Sequence, residues 1–102
     1  MEKDLFVASL LDVYGSFLGD KQHLLVGYYY NDDLSLGEIA ENEGITRQGV
    51  RDLIKRAELK LYELEKNCGY CAKFVRLKEL SRSIDRGSSK EIDELCDIIE
   101  NL

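Results

Sequence analysis

Proline is absent from this chain of 102 residues, and histidine, cysteine and long apolar runs are scarce. Without proline, nothing in the chain forbids long helices, and the prevalence of Leu, Glu, Lys, Ala and Ile predicts an all-α domain. No apolar run approaches the roughly 20 residues that a membrane-spanning helix needs. One histidine and three cysteines, without a recognised spacing, do not make a four-ligand zinc site. We therefore expect an all-α protein without a metal, a cofactor or a membrane span.

The first residues of the sequence are not expected to form an export signal. Residues 1–15 are acidic and have neither the basic start nor the cleavage site of a signal peptide. The odd number of cysteines favours reduced thiols. Both observations predict a cytoplasmic protein. At 102 residues, 44% of them apolar, the chain is long enough for one globular domain and too short for two independent cores.

Apolar periodicity and capping residues divide the chain into predicted helices. Their approximate bounds are 3–18, 21–30, 36–43, a long fourth helix capped by Thr46, and 89–101. Gly19 is expected to stop the first helix and Asp20 to cap the second. Ser35 and Glu38 have capping-box spacing before the third helix, and Gly44 is expected to end that helix with a positive φ.

The fourth helix carries a heptad-like apolar stripe. Its members are Ala57, Leu61, Leu64, Cys68, Cys71 and Val75. The stripe runs through Gly69, so the helix either continues past this residue or breaks there, since glycine costs a helix about 1 kcal/mol. Farther along, Ser88 and Glu91 repeat the capping-box spacing before the last helix. We expect a homodimer that buries the 57–75 stripe and the apolar faces of the first and last helices.

Residues 36–55 have the pattern of a helix-turn-helix motif. The small residue Ala40 stands where two helices would cross, a glycine occupies the tight turn, and Ile45 follows as an apolar plug. Val50 and Leu53 are expected to face back onto the preceding helix. The side chains left facing outward are Thr46, Arg47, Gln48, Arg51, Asp52 and Lys55.

The motif and its surroundings resemble two known groups of bacterial proteins. Residues 24–61, "LLVGYYYNDDLSLGEIAENEGITRQGVRDLIKRAELKL", resemble the fourth region of sigma factors. Residues from about 5 to 84 resemble the YlxM-like family, with the hallmarks "YYYNDDLSLGEIAE" and "ITRQGVRDLIKR". This resemblance implies a sigma-region-4-like helix-turn-helix followed by long C-terminal helices, a role beside the signal recognition particle, and no catalytic residues. The segment "NCGYC" and Gly49 depart from the usual pattern.

The organisation that follows is a single helical domain over residues 1–102. We expect a helix-turn-helix core at residues 20–66 and a C-terminal helical extension at residues 67–102. The carboxylates of Asp32 and Asp33 belong to a turn and have no partner base or nucleophile, so we expect no enzyme activity.

The formal charge of −6 disfavours contact with a polyanion, but the charges are segregated. Residues 1–43 hold nine acids and two bases, a balance of −7, whereas residues 44–60 hold five bases and two acids, a balance of +3. Arg47, Arg51 and Lys55 follow at four-residue spacing and share one helix face. We predict that this face binds nucleic acid. The predicted binding residues are Thr46, Arg47, Gln48, Arg51, Lys55 and Arg56.

Two interpretations of this basic face remain open. In a major-groove docking the first residues of the helix would reach base edges or phosphates, with Arg47 or Arg51 pairing with guanine and Gln48 with adenine. The alternative is a solvated face on which Asp52 and Glu58 pair with the cations.

Other segments also carry alternatives. Residues 73–90 hold six bases and two acids, and the twelve residues after them hold five acids and no base. The basic segment would follow phosphates of DNA or structured RNA, or pair with the acidic last helix within or between subunits.

"CGYC" has the spacing of thiol-disulfide oxidoreductases, but no strand precedes it, and burial of both cysteines is expected. The tyrosines at 28–30 are expected to pack instead of stacking on bases.

These observations favour a helix-turn-helix nucleic-acid-binding or regulatory protein. Its nucleic-acid partner is expected to be DNA or, through the family resemblance, the signal recognition particle RNA, with a protein of that particle as a further partner. The alternative is a protein-interaction adaptor that uses the helical fold without touching nucleic acid.

Overall fold

The computed structural model describes residues 2–83 and 89–102. Within these residues the chain forms six α-helices and no strand, so the all-α prediction is confirmed. The elements are α1 (Leu5–Tyr14) with a 3-10 turn after it (Gly15–Phe17), α2 (Asp20–Tyr30), α3 (Leu36–Glu43), α4 (Arg47–Cys68), α5 (Tyr70–Ser83) and α6 (Ser89–Glu100). The residues up to Asn67 form one compact unit, and those from Cys68 form a second.

The ends of α3 follow the predicted chemistry. The backbone N–H of Glu38 donates to Ser35 Oγ and the backbone N–H of Ser35 donates to the Glu38 carboxylate, both at 3.1 Å, which completes a capping box. Gly44 ends the helix with φ +67°, and its N–H donates to the carbonyl of Ala40. Glycine adopts this left-handed conformation without the steric cost that a Cβ atom would bring.

The first two helices differ from the prediction at their junction. α1 ends at Tyr14, and residues 15–17 form a tighter 3-10 turn. A Cβ atom at Gly15 would lie 3.0 Å from His23 Nε2, so this glycine allows α2 to approach closely. Asp20 is not the N-cap: Gly19 holds that position, and Asp20 is the first residue of α2, where a carboxylate favours the helix dipole.

The long fourth helix breaks at Gly69, which has φ +69°. α4 stops at Cys68 and α5 starts at Tyr70, so the 57–75 stripe is not one continuous seam. Ala57 and Leu61 are fully buried, whereas Cys68 is exposed. The continuous helical seam on which the dimer prediction relied is therefore absent, and the homodimer itself stays a prediction. The predicted capping box of the last helix involves Ser88, which lies outside the described residues.

The core of the first unit takes side chains from all four of its helices. Its fully enclosed members are Val7, Leu10, Leu25, Val26, Ile39, Val50, Ile54, Ala57 and Leu61. Val50 faces inward as predicted, but Ile54 is its fully buried companion on α4, while Leu53 is half-buried. Each large aliphatic side chain contributes roughly 1.5–3 kcal/mol by leaving water. This packing holds α4 against α1–α3 and turns its other face to solvent.

The second unit consists of α5 and α6. Cys71 and Leu80 are the buried residues of α5, whereas no residue of α6 is buried. Apolar side chains of both helices, including Phe74 and Ile99, are two-fifths or more exposed. No helix in residues 2–83 or 89–102 has the length and apolar character needed to cross a membrane.

Candidate nucleic-acid interface

The turn between α3 and α4 fixes the start of the recognition helix. Ile45 is half-buried, and its N–H donates to the carbonyl of Ala40 at 3.1 Å. Thr46 caps α4 as predicted, since its Oγ1 accepts from the backbone N–H of Gly49 at 3.0 Å. A Cβ atom at Gly49 would lie only 3.2 Å from that same Oγ1. Glycine at this position therefore leaves room for the cap.

The structure brings the predicted binding residues together on the exposed side of the first turns of α4. All six are solvent-exposed, and they are Thr46, Arg47, Gln48, Arg51, Lys55 and Arg56. Arg47, Arg51 and Lys55 form one row along the helix axis. Arg56 lies on a neighbouring row with Gln48, whose Nε2 donates to the Asp52 carboxylate at 2.9 Å.

The acidic residues of α4 do not pair with the two arginines of this row. Asp52 is occupied by Gln48, and Glu58 is turned inward with only 8% of its surface exposed. Lys55 approaches Glu58 at 4.0 Å. Among the residues that the structure describes, no carboxylate lies within 4.0 Å of the arginines of the face. The interpretation in which Asp52 and Glu58 pair with the cations therefore applies to Lys55 alone.

Arg47 makes a contact that the sequence pattern did not predict. Its guanidinium group lies against the first turn of α3, where a Cβ atom at Gly37 would be 2.7 Å from Arg47 Nη2. Glycine is a poor helix former, so its presence inside α3 was the only available signal of a close approach. The Arg47 charge therefore lies beside the first turn of α3, the first helix of the motif.

Hydrogen bonds behind the exposed face join α4 to the N-terminal helices. Tyr30 Oη donates to the inward-facing Glu58 carboxylate at 3.1 Å and accepts from the backbone N–H of Asp4 at 3.4 Å. Tyr62 Oη donates to the Asp4 carboxylate, and Tyr14 Oη donates to Glu65 at 2.6 Å. These bonds tie three turns of α4 to α2 and to the two ends of α1, and sequence spacing gave no signal of them.

The ionisation of this network follows from its surroundings. Burial raises the pKa of Tyr62 to about 12, with the Asp4 carboxylate adding to the effect. Burial also raises the pKa of Tyr30. The hydrogen bond from Tyr62 lowers the pKa of Asp4. Both phenols therefore remain protonated donors at neutral pH.

The tyrosines at 28–30 largely pack as predicted. Tyr29 is buried and Tyr28 and Tyr30 are half-buried. The rings of Tyr29 and Tyr30 meet edge to face with centroids 5.2 Å apart. Lys3 Nζ lies 4.7 Å from the centre of the Tyr29 ring.

In the second unit, pairing with the acidic helix accounts for part of the basic segment. Arg76 forms two 2.9 Å hydrogen bonds with Glu94 of α6 and a 3.3 Å contact with Glu79. Its hydrogen bonds lower the pKa of Glu94, and the same bonds raise the pKa of Arg76. Lys73 donates to the carbonyl of Asn101 at 3.2 Å. The predicted basic residue at position 86 lies outside the described residues.

The cysteine prediction is only half right. Cys71 is buried, whereas Cys68, at the end of α4, and Cys96 are exposed, and none of the three forms a disulfide. In the described part of the chain, no group of three or more histidine, cysteine or carboxylate side chains is placed to hold a metal ion.

Comparison with known proteins agrees with the helix-turn-helix geometry. Residues 1–100 match the family described as "UPF0122: Putative helix-turn-helix protein, YlxM / p13 like". The UPF0122 protein BH2485 of Halalkalibacterium halodurans is 40% identical, with 100% of this chain and 95% of the relative aligned. The UPF0122 protein YlxM of Bacillus subtilis is 39% identical, with coverage of 100% and 94%. A UPF0122 protein of Desulforamulus reducens is 43% identical over 83% of this chain and 76% of its own. The chain belongs to the YlxM/p13-like family of helix-turn-helix proteins.

Proposed function

We propose that the protein binds nucleic acid through the exposed face of the first turns of α4 and acts as a regulatory protein. The observation that carries this proposal is that no carboxylate of residues 2–83 and 89–102 lies within 4.0 Å of the arginines on that face, in a chain whose formal charge is −6. Exposed cations stabilise a folded protein little. Phosphates would supply the missing counter-charge.

The order of the residues along α4 suggests how each would act. In a helix that enters the major groove, the N-terminal residues reach base edges and later ones reach the backbone. Arg47 and Arg51 would contact guanine or phosphate, and Thr46 would donate to a phosphate oxygen. Gln48 must release Asp52 before it can pair with adenine. Lys55 and Arg56, farther along the helix, would contact phosphates.

Two kinds of nucleic acid are candidates for this face: duplex DNA and the RNA of the signal recognition particle. A helix-turn-helix favours duplex DNA with an accessible major groove. The resemblance to the YlxM-like family supports the RNA of the signal recognition particle, with a protein of that particle as a second partner and the cytoplasm as the place of action. Structured RNA would be recognised mainly by its shape and phosphates.

A salt series tests the proposal directly. The binding of the wild-type protein to random duplex DNA and to signal recognition particle RNA would be measured by fluorescence anisotropy at several salt concentrations. We expect binding to one of them, weakening steeply as salt rises, because each phosphate contact releases a counterion. The double variant Arg47→Glu, Arg51→Glu should lose at least about tenfold in affinity.

The matched control reverses two other exposed cations of α4, Lys60 and Lys66. The double variant Lys60→Glu, Lys66→Glu changes the net charge by the same amount, and its affinity should fall by less than about threefold. Equal losses in both double variants, or no binding by the wild type at low salt, would contradict the assigned face.

A protein-interaction adaptor is the second candidate function. The exposed apolar side chains of the second unit favour it, since large exposed apolar patches commonly mark interaction sites. These side chains are Tyr70, Phe74, Val75, Ile92, Ile99 and Leu102. The same surface, on α5 and α6, is where we now place the interface of a homodimer.

A further inference from the structure

The outer side of α2 forms a groove that the proposed nucleic-acid face does not use. Its volume is about 370 Å³, and its lining residues are Asp20, His23, Leu24, Gly27, Tyr28 and Asp32. All but the last lie on α2 at spacings of three and four residues and therefore share one side of the helix. The groove follows the helix axis from the first turn of α2 to the turn after it.

The middle of this α2 groove is apolar and has a notch. Leu24 is 43% exposed although it is a large aliphatic residue. Tyr28 is half-buried beside it. Gly27 has no side chain, and a Cβ atom built on it would meet nothing within 4 Å. The missing side chain leaves space in which a partner's side chain or backbone would fit closely.

The two ends of the α2 groove are negative and lack cations. Asp20 and Asp32 are exposed, and within the described residues neither has a basic group within 4.0 Å. The two lysines of residues 1–43 are used elsewhere, because Lys3 pairs with Asp33 at 2.5 Å and Lys21 pairs with Glu43 at 3.3 Å. The groove therefore faces solvent with uncompensated charge at both ends.

The stability of α2 explains the position of the Asp20 carboxylate but not that of the Asp32 carboxylate. Asp20 is in the first turn of α2, where negative charge is favourable. Asp32 follows the last turn, where the helix dipole opposes negative charge. No side-chain hydrogen bond holds Asp32 among the described residues; its backbone N–H alone is engaged, with the carbonyl of Gly27 at 3.2 Å. A role in binding accounts for Asp32 where local stability does not.

We propose that the α2 groove binds a basic amphipathic helix of another protein. The apolar side of that helix would cover Leu24 and Tyr28 and fill the notch at Gly27, as in other helix-in-groove complexes. Lysine or arginine residues near its two ends would pair with Asp20 and Asp32. The span from Asp20 to Asp32 is roughly 18 Å, which a partner helix of about 12 residues covers. The two carboxylates disfavour nucleic acid in this groove, because their charge has the same sign as that of the phosphates.

The test uses a model peptide of about 14 residues, built from leucine and lysine at helical spacing. It would be titrated into the isotope-labelled full-length protein while amide NMR shifts are followed. We expect the largest shifts at residues 20–32. Gly27→Leu, which fills the notch, and Asp32→Lys, which reverses the charge, should each weaken binding by about tenfold. Circular dichroism would confirm that both variants stay helical.

Two controls make the result specific to the α2 groove. Asp12→Lys reverses an exposed carboxylate of α1 that does not line the groove and should leave the affinity within about twofold. A peptide with glutamate in place of lysine should not bind. The proposal is overturned if the lysine peptide does not bind, if its shifts map to α4–α6, if all three variants bind alike, or if the free protein already covers residues 20–32 with a second copy. Loss of nucleic-acid binding in the Arg47 and Arg51 variant would leave this result unchanged.

Discussion

The guanidinium group of Arg47 lies on the first turn of α3, at a place where Gly37 has no side chain to displace it. A long arginine side chain loses conformational entropy when it is ordered by a ligand. A contact that already restricts Arg47 in the free protein reduces this loss. Gly37 would therefore help to position Arg47 for nucleic acid without touching the ligand itself.

Replacing Gly37 by alanine tests this relationship. The new Cβ atom would be 2.7 Å from Arg47 Nη2, so the guanidinium group must move. We expect the affinity for nucleic acid to fall about two- to tenfold. The free energy of unfolding should stay equal or rise by up to about 1 kcal/mol, because alanine is the better helix former. Anisotropy titrations and urea denaturation would measure the two quantities. Unchanged affinity in Gly37→Ala, beside a loss in Arg47→Ala, would show that the contact does not position the arginine.

The two ends of α3 could be predicted because their chemistry is local. Ser35 and Glu38 are three residues apart, and Gly44 needs only its own positive φ. The contact between Arg47 and Gly37 joins residues ten positions apart on two helices, and the motif pattern that placed Ala40 at the helix crossing does not specify which side chain lies over Gly37. The bond between Tyr30 and Glu58 joins residues 28 positions apart. Such partners are selected by tertiary packing.

The break at Gly69 could not be predicted from the sequence either, although it lies within one predicted helix. A glycine inside a helix costs about 1 kcal/mol, which is too little to decide whether the helix breaks. The predicted apolar stripe favoured continuation, whereas the structure has φ +69° at this residue and a new helix after it. The loss of the continuous seam follows from this single dihedral angle, and Cys68, the residue before it, is exposed. The exposed face of α4 was predictable because it depends only on helical spacing after Thr46.

Tyr30→Phe should destabilise the first unit. The substitution leaves the Glu58 carboxylate, only 8% exposed, without its 3.1 Å hydrogen-bond donor. An acceptor stripped of its partner away from water costs about 1–3 kcal/mol in the free energy of unfolding. Urea denaturation would measure the change. Tyr28→Phe is the control, because the Tyr28 hydroxyl makes no hydrogen bond within residues 2–83 and 89–102. An equal loss of unfolding free energy in Tyr28→Phe would mean that the hydrogen bond from Tyr30 to Glu58 does not stabilise the protein.

The stabilisation from Tyr62 and Asp4 should disappear in acid. Tyr62, and after it the backbone N–H of Phe6, holds the pKa of Asp4 below its usual 3.8. Because the folded pKa is the lower one, the stabilisation is present above the unfolded value and is lost as the pH falls through the folded value. The difference in unfolding free energy between wild type and Tyr62→Phe should therefore shrink from about pH 6 to about pH 2. A difference that stays constant over this range would show that the bond does not depend on the charge of Asp4.

Two glycine-to-alanine substitutions should change stability in opposite directions. Gly44 has φ +67°, where a Cβ atom is strained, so Gly44→Ala should destabilise the protein by about 1–2 kcal/mol. Gly27 lies inside α2 with open space at its Cβ position, so Gly27→Ala should stabilise it by up to about 1 kcal/mol. Thermal denaturation of both variants would measure the changes. Stabilisation by Gly44→Ala would contradict the left-handed turn at Gly44, and destabilisation by Gly27→Ala would contradict the open space at Gly27.

The α5 and α6 surface should mediate self-association. No residue of α6 is buried, yet Ile92 and Ile99 are 42% and 55% exposed on its apolar side. Two packed helices cannot enclose the apolar faces of both, and a second copy would close them into a four-helix arrangement. The basic residues of α5 and the acidic residues of α6 would then also meet across the twofold axis. Sedimentation should show a dimer of the 11.7 kDa chain, and Ile92→Glu with Ile99→Glu should dissociate it. The control Asp93→Lys, at an exposed polar position of α6, should remain dimeric. A wild-type protein that sediments as a monomer at every workable concentration would refute the interface and leave this apolar surface to a different protein.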